Sequence, residues 1–303
     1  MPLISIIMVT LNSMGFIKEA LESISGQTDK NFELIIVDNG SSDGTVEFIK
    51  KKYSRLTLIE NRENKGFCRA NNQAISIAKG KYILTLNSDV ILDENFIKEI
   101  KRLVIDSNDT VGMVGAKILK LDRRTVDSTG LSLSKYKRFY DRGMGEIDNG
   151  QFDEKSKIFG PCAAAALYKR EMLDDIEFNG EYFDSDFFFL VEDFDIAWRA
   201  RLCGWNAVFS PKSLCYHLRS SSDYDTKFKQ YLSFRNRYFL IIKNEVIKSI
   251  VKGIPCLIAY DLPRLFYLLI TNRHTLRALY EMVKFTPAML KKRSFIMSNR
   301  RSR

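Results

Sequence analysis

The apolar runs of this chain all stop on polar residues, and that pattern leaves little choice of fold. Ile4-Ser5-Ile6-Ile7-Met8-Val9-Thr10 is nearly continuous in apolar side chains and ends at Asn12 and Ser13. Phe32-Glu33-Leu34-Ile35-Ile36-Val37 stops on Asp38-Asn39-Gly40-Ser41-Ser42-Asp43-Gly44-Thr45, and a shorter run from Leu56 to Ile59 leads to the turn Asn64-Lys65-Gly66-Phe67. Tyr82-Ile83-Leu84-Thr85-Leu86 then delivers Asn87-Ser88-Asp89. Helical stretches separate these runs, from about Phe16 to Ser25 and from Cys68 to Ala78. Strands alternating with helices make an α/β sheet with parallel strands. Such a sheet binds ligands beyond the carboxyl ends of its strands, where these polar residues fall.

A chain of 303 residues, 45% apolar, is long enough for one large α/β domain with an appendage. Five cysteines, Cys68, Cys162, Cys203, Cys215 and Cys256, are odd in number and widely spaced, which fits a reducing compartment and no zinc site. The N-terminus runs straight into the first strand without a basic leader, so no signal peptide is expected.

The net charge of +10 is unevenly placed. From Lys227 onward there are 17 Lys and Arg against 3 Asp and Glu, a local balance of +14, whereas the preceding part carries 30 against 34, or −4. Apolar stretches such as Ile254 to Tyr260 and Leu265 to Ile270 alternate with this charge, and Asp261, Pro263 and Arg264 interrupt the longest of them. A spanning helix needs about twenty apolar residues. The expectation is therefore a basic, mostly helical region, 241–303, lying on an anionic membrane face, after a catalytic domain of residues 1–240. A helical subdomain packed on the core, or a homodimer interface, is the alternative. Nucleic-acid binding would need a recognition motif or stacking platform, and none is present.

Further along, Gly160-Pro161-Cys162-Ala163, Phe183-Asp184 and Glu192-Asp193-Phe194-Asp195 complete an ordered series with the strand-end motifs. The series resembles a family-two glycosyltransferase of the GT-A (Rossmann-like) fold, closest to its rhamnosyltransferase-like branch, over roughly residues 3 to 240. The resemblance implies a nucleotide-sugar-binding fold with a mixed central sheet, and an inverting enzyme using Mg²⁺ or Mn²⁺. The donor would be a dTDP- or UDP-sugar such as dTDP-rhamnose. The acceptor would be a glycan or lipid-linked molecule at the cytoplasmic face of the cell membrane.

The chemistry assigns roles. Sugar transfer leaves a diphosphate whose growing charge a divalent cation stabilises, and such cations take oxygen ligands. By the resemblance, Asp89 holds the metal and His217 completes its site, though a lone histidine after a strand is often a packed core residue. The attacking hydroxyl must lose a proton to a carboxylate. Asp193 matches the family's base at a helix start, the other reading being that Glu192, Asp193 and Asp195 are simply first-turn acids. Thr10, Asn12, Asn87, Lys65, Gly66, Arg69 and Arg235 are implied donor contacts, and Asp38 a contact to the pyrimidine; Asp38 before Asn-Gly is also a turn former. Arg235-Asn236-Arg237 would reach the donor phosphates or belong to the basic membrane face. Gly160, Cys162, Asp184 and Glu192 are the implied acceptor or sugar pocket, the small-residue run alternatively packing tightly in a helix. Leu11 stands where the family often has an aromatic on the base. The competing classes are a nucleotidyltransferase, which would favour a Gly-rich N-terminal loop that Thr10-Leu11-Asn12-Ser13 lacks, and a non-catalytic sugar-binding protein.

Overall fold

The computed structural model of the chain describes residues 2–53, 56–154, 156–219 and 224–301. Among these, the strands are β1 Ile4–Thr10, β2 Phe32–Asp38, β3 Thr57–Glu60, β4 Tyr82–Asn87, β5 Val90–Leu92, β6 Val111–Lys120, β7 Val126–Ser128, β8 Leu131–Leu133, β9 Phe139–Asp141, β10 Lys157–Ile158, β11 Ala165–Lys169 and β12 Asn206–His217. The helices are α1 Ile17–Ser25, α2 Thr45–Lys52, α3 Phe67–Ile77, α4 Phe96–Asp106, α5 Arg170–Ile176, α6 Glu192–Leu202, α7 Thr226–Asn244, α8 Ile247–Thr271 and α9 Thr275–Ser298.

The main sheet has the order β10-β12-β6-β11-β4-β1-β2-β3. β3, β2, β1 and β4 are parallel, β11 runs antiparallel between β4 and β6, and β12 is parallel to β6. The sheet is mixed, as expected. Thr10 pairs with Asp38 and Val9 with Asn87, so the polar strand ends stand level at one edge. Side chains alternate along the strands. Ile4, Ile6 and Met8 join α1 and α4 on one face, while Ile7, Ile35, Val37 and Ile83 join α3 and α6 on the other.

Helix α6 lies close under the loop that enters β11. A Cβ on Gly160 would overlap that of Ala197, so this glycine lets α6 approach the loop. Leu131 N–H donates to the Gly160 carbonyl at 2.8 Å and ties β8 to the same place.

The C-terminal helices differ from the sequence expectation in two ways. First, Asp261, Pro263 and Arg264 do not interrupt a helix: α8 runs through them for 25 residues and is long and apolar enough to cross a membrane by length and composition. Continuity is possible because Asp261 turns inward onto Arg237 at 2.9 Å and Arg264 reaches Ser233 Oγ at 3.2 Å. Second, much of the tail's positive charge points into the protein. Lys243, Lys292 and Arg301 pair with Asp184, Asp186 and Asp175 of the preceding domain. The boundary placed at residue 240 falls inside α7.

Gly160→Ala should lower stability by roughly 1–3 kcal/mol, the usual cost of overpacking. It should read as a lower denaturant midpoint at unchanged slope. Adding Ala197→Gly should recover part of the loss although glycine inside a helix itself costs about 1 kcal/mol. An unchanged midpoint for Gly160→Ala would mean the loop and α6 are not in forced contact.

Candidate active site

A cavity of about 690 Å³ opens at the edge where the parallel strands end. Thr10 and Asn87 reach it from β1 and β4, Gly66 from the loop before α3, and Cys162 and Ala163 from the loop before β11. Glu192 and Asp193 enter at the first turn of α6, and His217 at the end of β12. Segments far apart in sequence converge because each ends at the same sheet edge.

His217 sits between two carboxylates. Its Nδ1 is 2.8 Å from Asp127 Oδ2 and its Nε2 is 3.2 Å from Asp89 Oδ1, and all three side chains are buried. Burial opposes a charge on the imidazole, but the hydrogen bond to Asp127 and the carboxylate charge of nearby Asp89 outweigh it and push its pKa up to about 9. Arg219 holds the other oxygen of Asp127 at 2.5 Å. Asp127, in a three-residue buried strand, was not expected from sequence, because Val126-Asp127-Ser128 carries no motif of its own. The His217 ring is thus protonated as it stands; only on losing the Nε2 proton would it, fixed by Asp127, offer a nitrogen beside the Asp89 carboxylate to a divalent cation. Among the described residues no group of three or more acidic, cysteine or histidine side chains is arranged to hold a metal ion, so a cation here would need phosphate or water for its remaining ligands.

Asp193 stands half-buried at the cavity wall. Its Oδ1 accepts from Phe194 N–H at 2.8 Å and its Oδ2 from Ala163 N–H at 3.4 Å. Burial, then the charge of Asp141, raise its carboxyl to about 7 despite these bonds. Glu192 is raised as well, by burial and then by Asp193 beside it. Among the described residues Glu192 Oε2 and Thr10 Oγ1 are buried without a hydrogen-bond partner. A carboxylate with a raised pKa is matched to taking a proton near neutrality.

Several expected residues stand elsewhere. Arg235 does not reach the cavity: it bonds Glu281 at 2.6 Å and the carbonyls of Asp186 and Phe187, because its helix turns it inward. Asp184 is held by Lys243 and Lys292 behind α6, away from the cavity. Gly160 faces Ala197 and not the sugar pocket. Asp38 takes its turn-forming role, accepting from Gly40 N–H, Ser41 N–H and Ser41 Oγ. Asn12 closes the neighbouring loop by accepting from Ser42 N–H at 2.9 Å. Lys65 and Arg69 are exposed outside the cavity lining. In their place, Arg138, Arg219, Arg237 and Arg264 line the cavity, with the aromatic rings of Phe188, Phe189 and Tyr224 on one wall.

Residues 5–177 match the family described as glycosyl transferase family 2. UDP-Glc:alpha-D-GlcNAc-diphosphoundecaprenol beta-1,3-glucosyltransferase WfaP of Escherichia coli is 46% identical over 90 residues, 29% of this chain and 36% of that protein. S. aureus TarS 1-349 in complex with UDP-GlcNAc shares the fold with a TM-score of 0.60 at 18% identity, covering 99% of this chain and 89% of that one. The mannosyltransferase PcManGT from Pyrobaculum calidifontis, in complex with GDP-Man and Mn²⁺, has a TM-score of 0.57 at 17% identity, covering 98% and 86%. In curated relatives the aligned part is between 25% and 50% of their own length. The structural likeness shows a common GT-A fold, the family match takes in more than half of the sequence, and the chain belongs to glycosyl transferase family 2.

Proposed function

We propose that this chain transfers a sugar, with inversion, from a nucleoside-diphosphate donor to an acceptor hydroxyl, Asp193 serving as the base. The observation that carries the reading is the pairing, in one cavity, of a proton-accepting carboxylate on α6 with His217 at the end of β12; Asp89, just past β4 and buried behind the cavity lining, lies 3.2 Å from His217 Nε2. The solved relatives that share the fold carry UDP-GlcNAc in one case and GDP-Man with Mn²⁺ in another.

Asp89 and His217 would hold Mg²⁺ or Mn²⁺, with Asp127 fixing the ring of His217. When bound, the cation supplies charge stabilisation for the departing diphosphate. Thr10 Oγ1 and Asn87 face the donor from the strand ends, and Arg219 offers charge toward phosphate from the opposite side. Asp193 accepts the acceptor's proton, and the adjacent Ala163 N–H keeps its Oδ2 oriented. With a single base and no nucleophile in this scheme, the product is inverted. The donor is a UDP- or dTDP-sugar, a hexose or deoxyhexose such as rhamnose, on the strength of the motif resemblance.

The acceptor is read as lipid-linked, presented at the inner face of the cell membrane. Helix α8 supports this. Ile247, Val251, Ile254, Ile258, Leu262 and Phe266 form an exposed apolar stripe at helical spacing, with exposed Lys248, Lys252 and Arg273 beside it. Its inward side is charged and packed, so the helix suits the lipid interface better than the bilayer interior. The C-terminal helices would thus be the membrane-facing unit.

Asp193→Asn should lower turnover by about two to four orders of magnitude with donor binding retained. Wild-type turnover would reduce Asp193 to a first-turn acid. The wild-type rate should rise with pH through a limb near 7 as Asp193 ionises. The folded protein holds this proton more tightly than the unfolded chain, so the group's contribution to stability falls as pH rises from the ordinary carboxylate range through about 7. Melting curves of Asp193→Asn should lack that decline.

Asp89→Ala should abolish the Mn²⁺-dependent part of UDP binding in calorimetry; unchanged affinity in Mn²⁺ would remove Asp89 from the site. For the membrane, point changes are cleaner than truncation, which would strip Glu281 from Arg235 and Lys292 from Asp184. Val251→Asp with Ile258→Asp should release the protein from phosphatidylglycerol vesicles without loss of UDP binding. Wild-type attachment should also weaken with salt, each basic residue contributing about 1 kcal/mol at an anionic surface. No flotation of the wild type even at low salt would sink the membrane assignment.

A further inference from the structure

The Arg235-Asn236-Arg237 triplet does not act on the cavity as a unit; its middle residue is buried against the backbone that leads to the base. Asn236 is 0% exposed. Its Nδ2 lies 3.0, 2.9 and 2.8 Å from the carbonyl oxygens of Phe187, Phe189 and Leu190. The intervening carbonyl, of Phe188, accepts Cys68 N–H at 3.1 Å. Arg235 Nη2 adds contacts to the carbonyls of Asp186 and Phe187. Every carbonyl from Phe187 to Leu190 therefore has a donor supplied by α3 or α7.

This segment needs external donors because its backbone is strained. Phe188 has φ 66° and ψ −66°, the centre of a γ-turn that Phe189 N–H closes onto the Phe187 carbonyl at 2.8 Å. That sign of γ-turn is the rare, strained one. Leu190 and Val191 follow at φ 69° and 73°, and a β-branched residue there is an outlier. No glycine relieves any of the three positions. Left-handed turns bring carbonyl dipoles together, and the repulsion among them is relieved when one donor sits at their convergence. The two N–H bonds of a carboxamide shared over three carbonyls fit that place. Strained backbone persists only where its surroundings over-determine it.

We propose that Asn236 is a positioning residue, whose carboxamide holds the strained turn from Phe187 to Val191 and so fixes where Asp193 and the wall of Phe188 and Phe189 stand in the cavity. The proposal rests on the reading of Asp193 as the base, because Val191 is the residue from which α6 starts and Asp193 lies in its first turn.

The test uses the full chain carrying Asn236→Ala, and Asn236→Ser, which keeps one donor, in case the alanine variant does not fold. Each is made alone and with Val191→Gly, since glycine adopts φ above zero at no steric cost. Amide hydrogen exchange is read over residues 188–195, and steady-state hydrolysis is followed with whichever UDP-sugar the wild type turns over fastest. Exchange at 188–195 should quicken at least tenfold while β1 and β4 stay protected. The kcat should fall tenfold or more with KM changed less than threefold, and Val191→Gly should restore part of both losses. Wild-type protection at 188–195 in the Asn236 variants overturns the proposal. So does a loss of kcat that only tracks the folded fraction and that Val191→Gly does not relieve. If Asp193→Asn remained fully active, the base would be reassigned, while the exchange measurement would still decide whether Asn236 holds the turn.

Discussion

One buried ammonium group ties the C-terminal helices to the helix that carries the candidate base. Lys243 Nζ, on α7, lies 2.6 Å from Asp184 and 2.7 Å from Asp195, with all three side chains buried. Asp195 also meets Arg199 at 2.8 Å and Asn244 at 2.8 Å, and Asp184 is shared with Lys292 of α9. The group thus adds a charged tie between α6, which carries the candidate base, and two helices that share its apolar core through Phe239, Leu240 and Met289. Removing one partner of such a cluster leaves a charge stranded in low dielectric, typically at 3–5 kcal/mol. It also explains why an acidic front domain is followed by a strongly basic tail: some of the tail's cations are counter-ions for the domain's buried acids.

Helix geometry then lets neighbouring acids do different work. Successive helical residues turn by about 100°, so positions two apart point to roughly opposite sides. Asp195 looks inward, where burial would raise its pKa but Arg199 and Lys243 outweigh it, and it stays low. Asp193 looks into the cavity, where burial and Asp141 raise it. Two carboxylates on one helical turn are driven apart in acidity by what each faces, the pattern that separates a structural acid from one able to take a proton near pH 7.

The parallel strands were legible because their apolar runs are buried on both faces, and that pattern placed Thr10, Asn87 and Asp89 at or just past strand ends, while their roles rest on the family resemblance. His217 and Asp193 were legible through ordered motifs. What could not be read depends on contacts between distant segments. Asp127 acquires its role only where β7 meets β6 and brings it under His217. The inward turn of Arg235 depends on Glu281, 46 residues away. Asp261 looks like a helix breaker among apolar residues until its partner, Arg237, is in place. Local sequence carries the sheet, and partner identity decides which charges are surface and which are structure.

That distinction bears on the acceptor at helix α8. Tyr260 and Arg264, four residues apart, face the cavity, while the stripe from Ile247 to Phe266 faces outward. One helix is therefore both cavity wall and apolar surface. On the reading that this surface rests on lipid, the cavity mouth lies within a helix diameter of the membrane, about 10–12 Å. An acceptor anchored in the bilayer would then present its headgroup without leaving its lipid environment. Arg264, on the side of the cavity formed by α8, would meet an anionic linkage before the sugar reached Asp193, whereas Arg237 is already paired with Asp261. The outward stripe alone would fit any apolar partner; on the proposed reading, its place on the helix that also supplies Arg264 to the cavity suits an acceptor with a lipid tail and an acidic head.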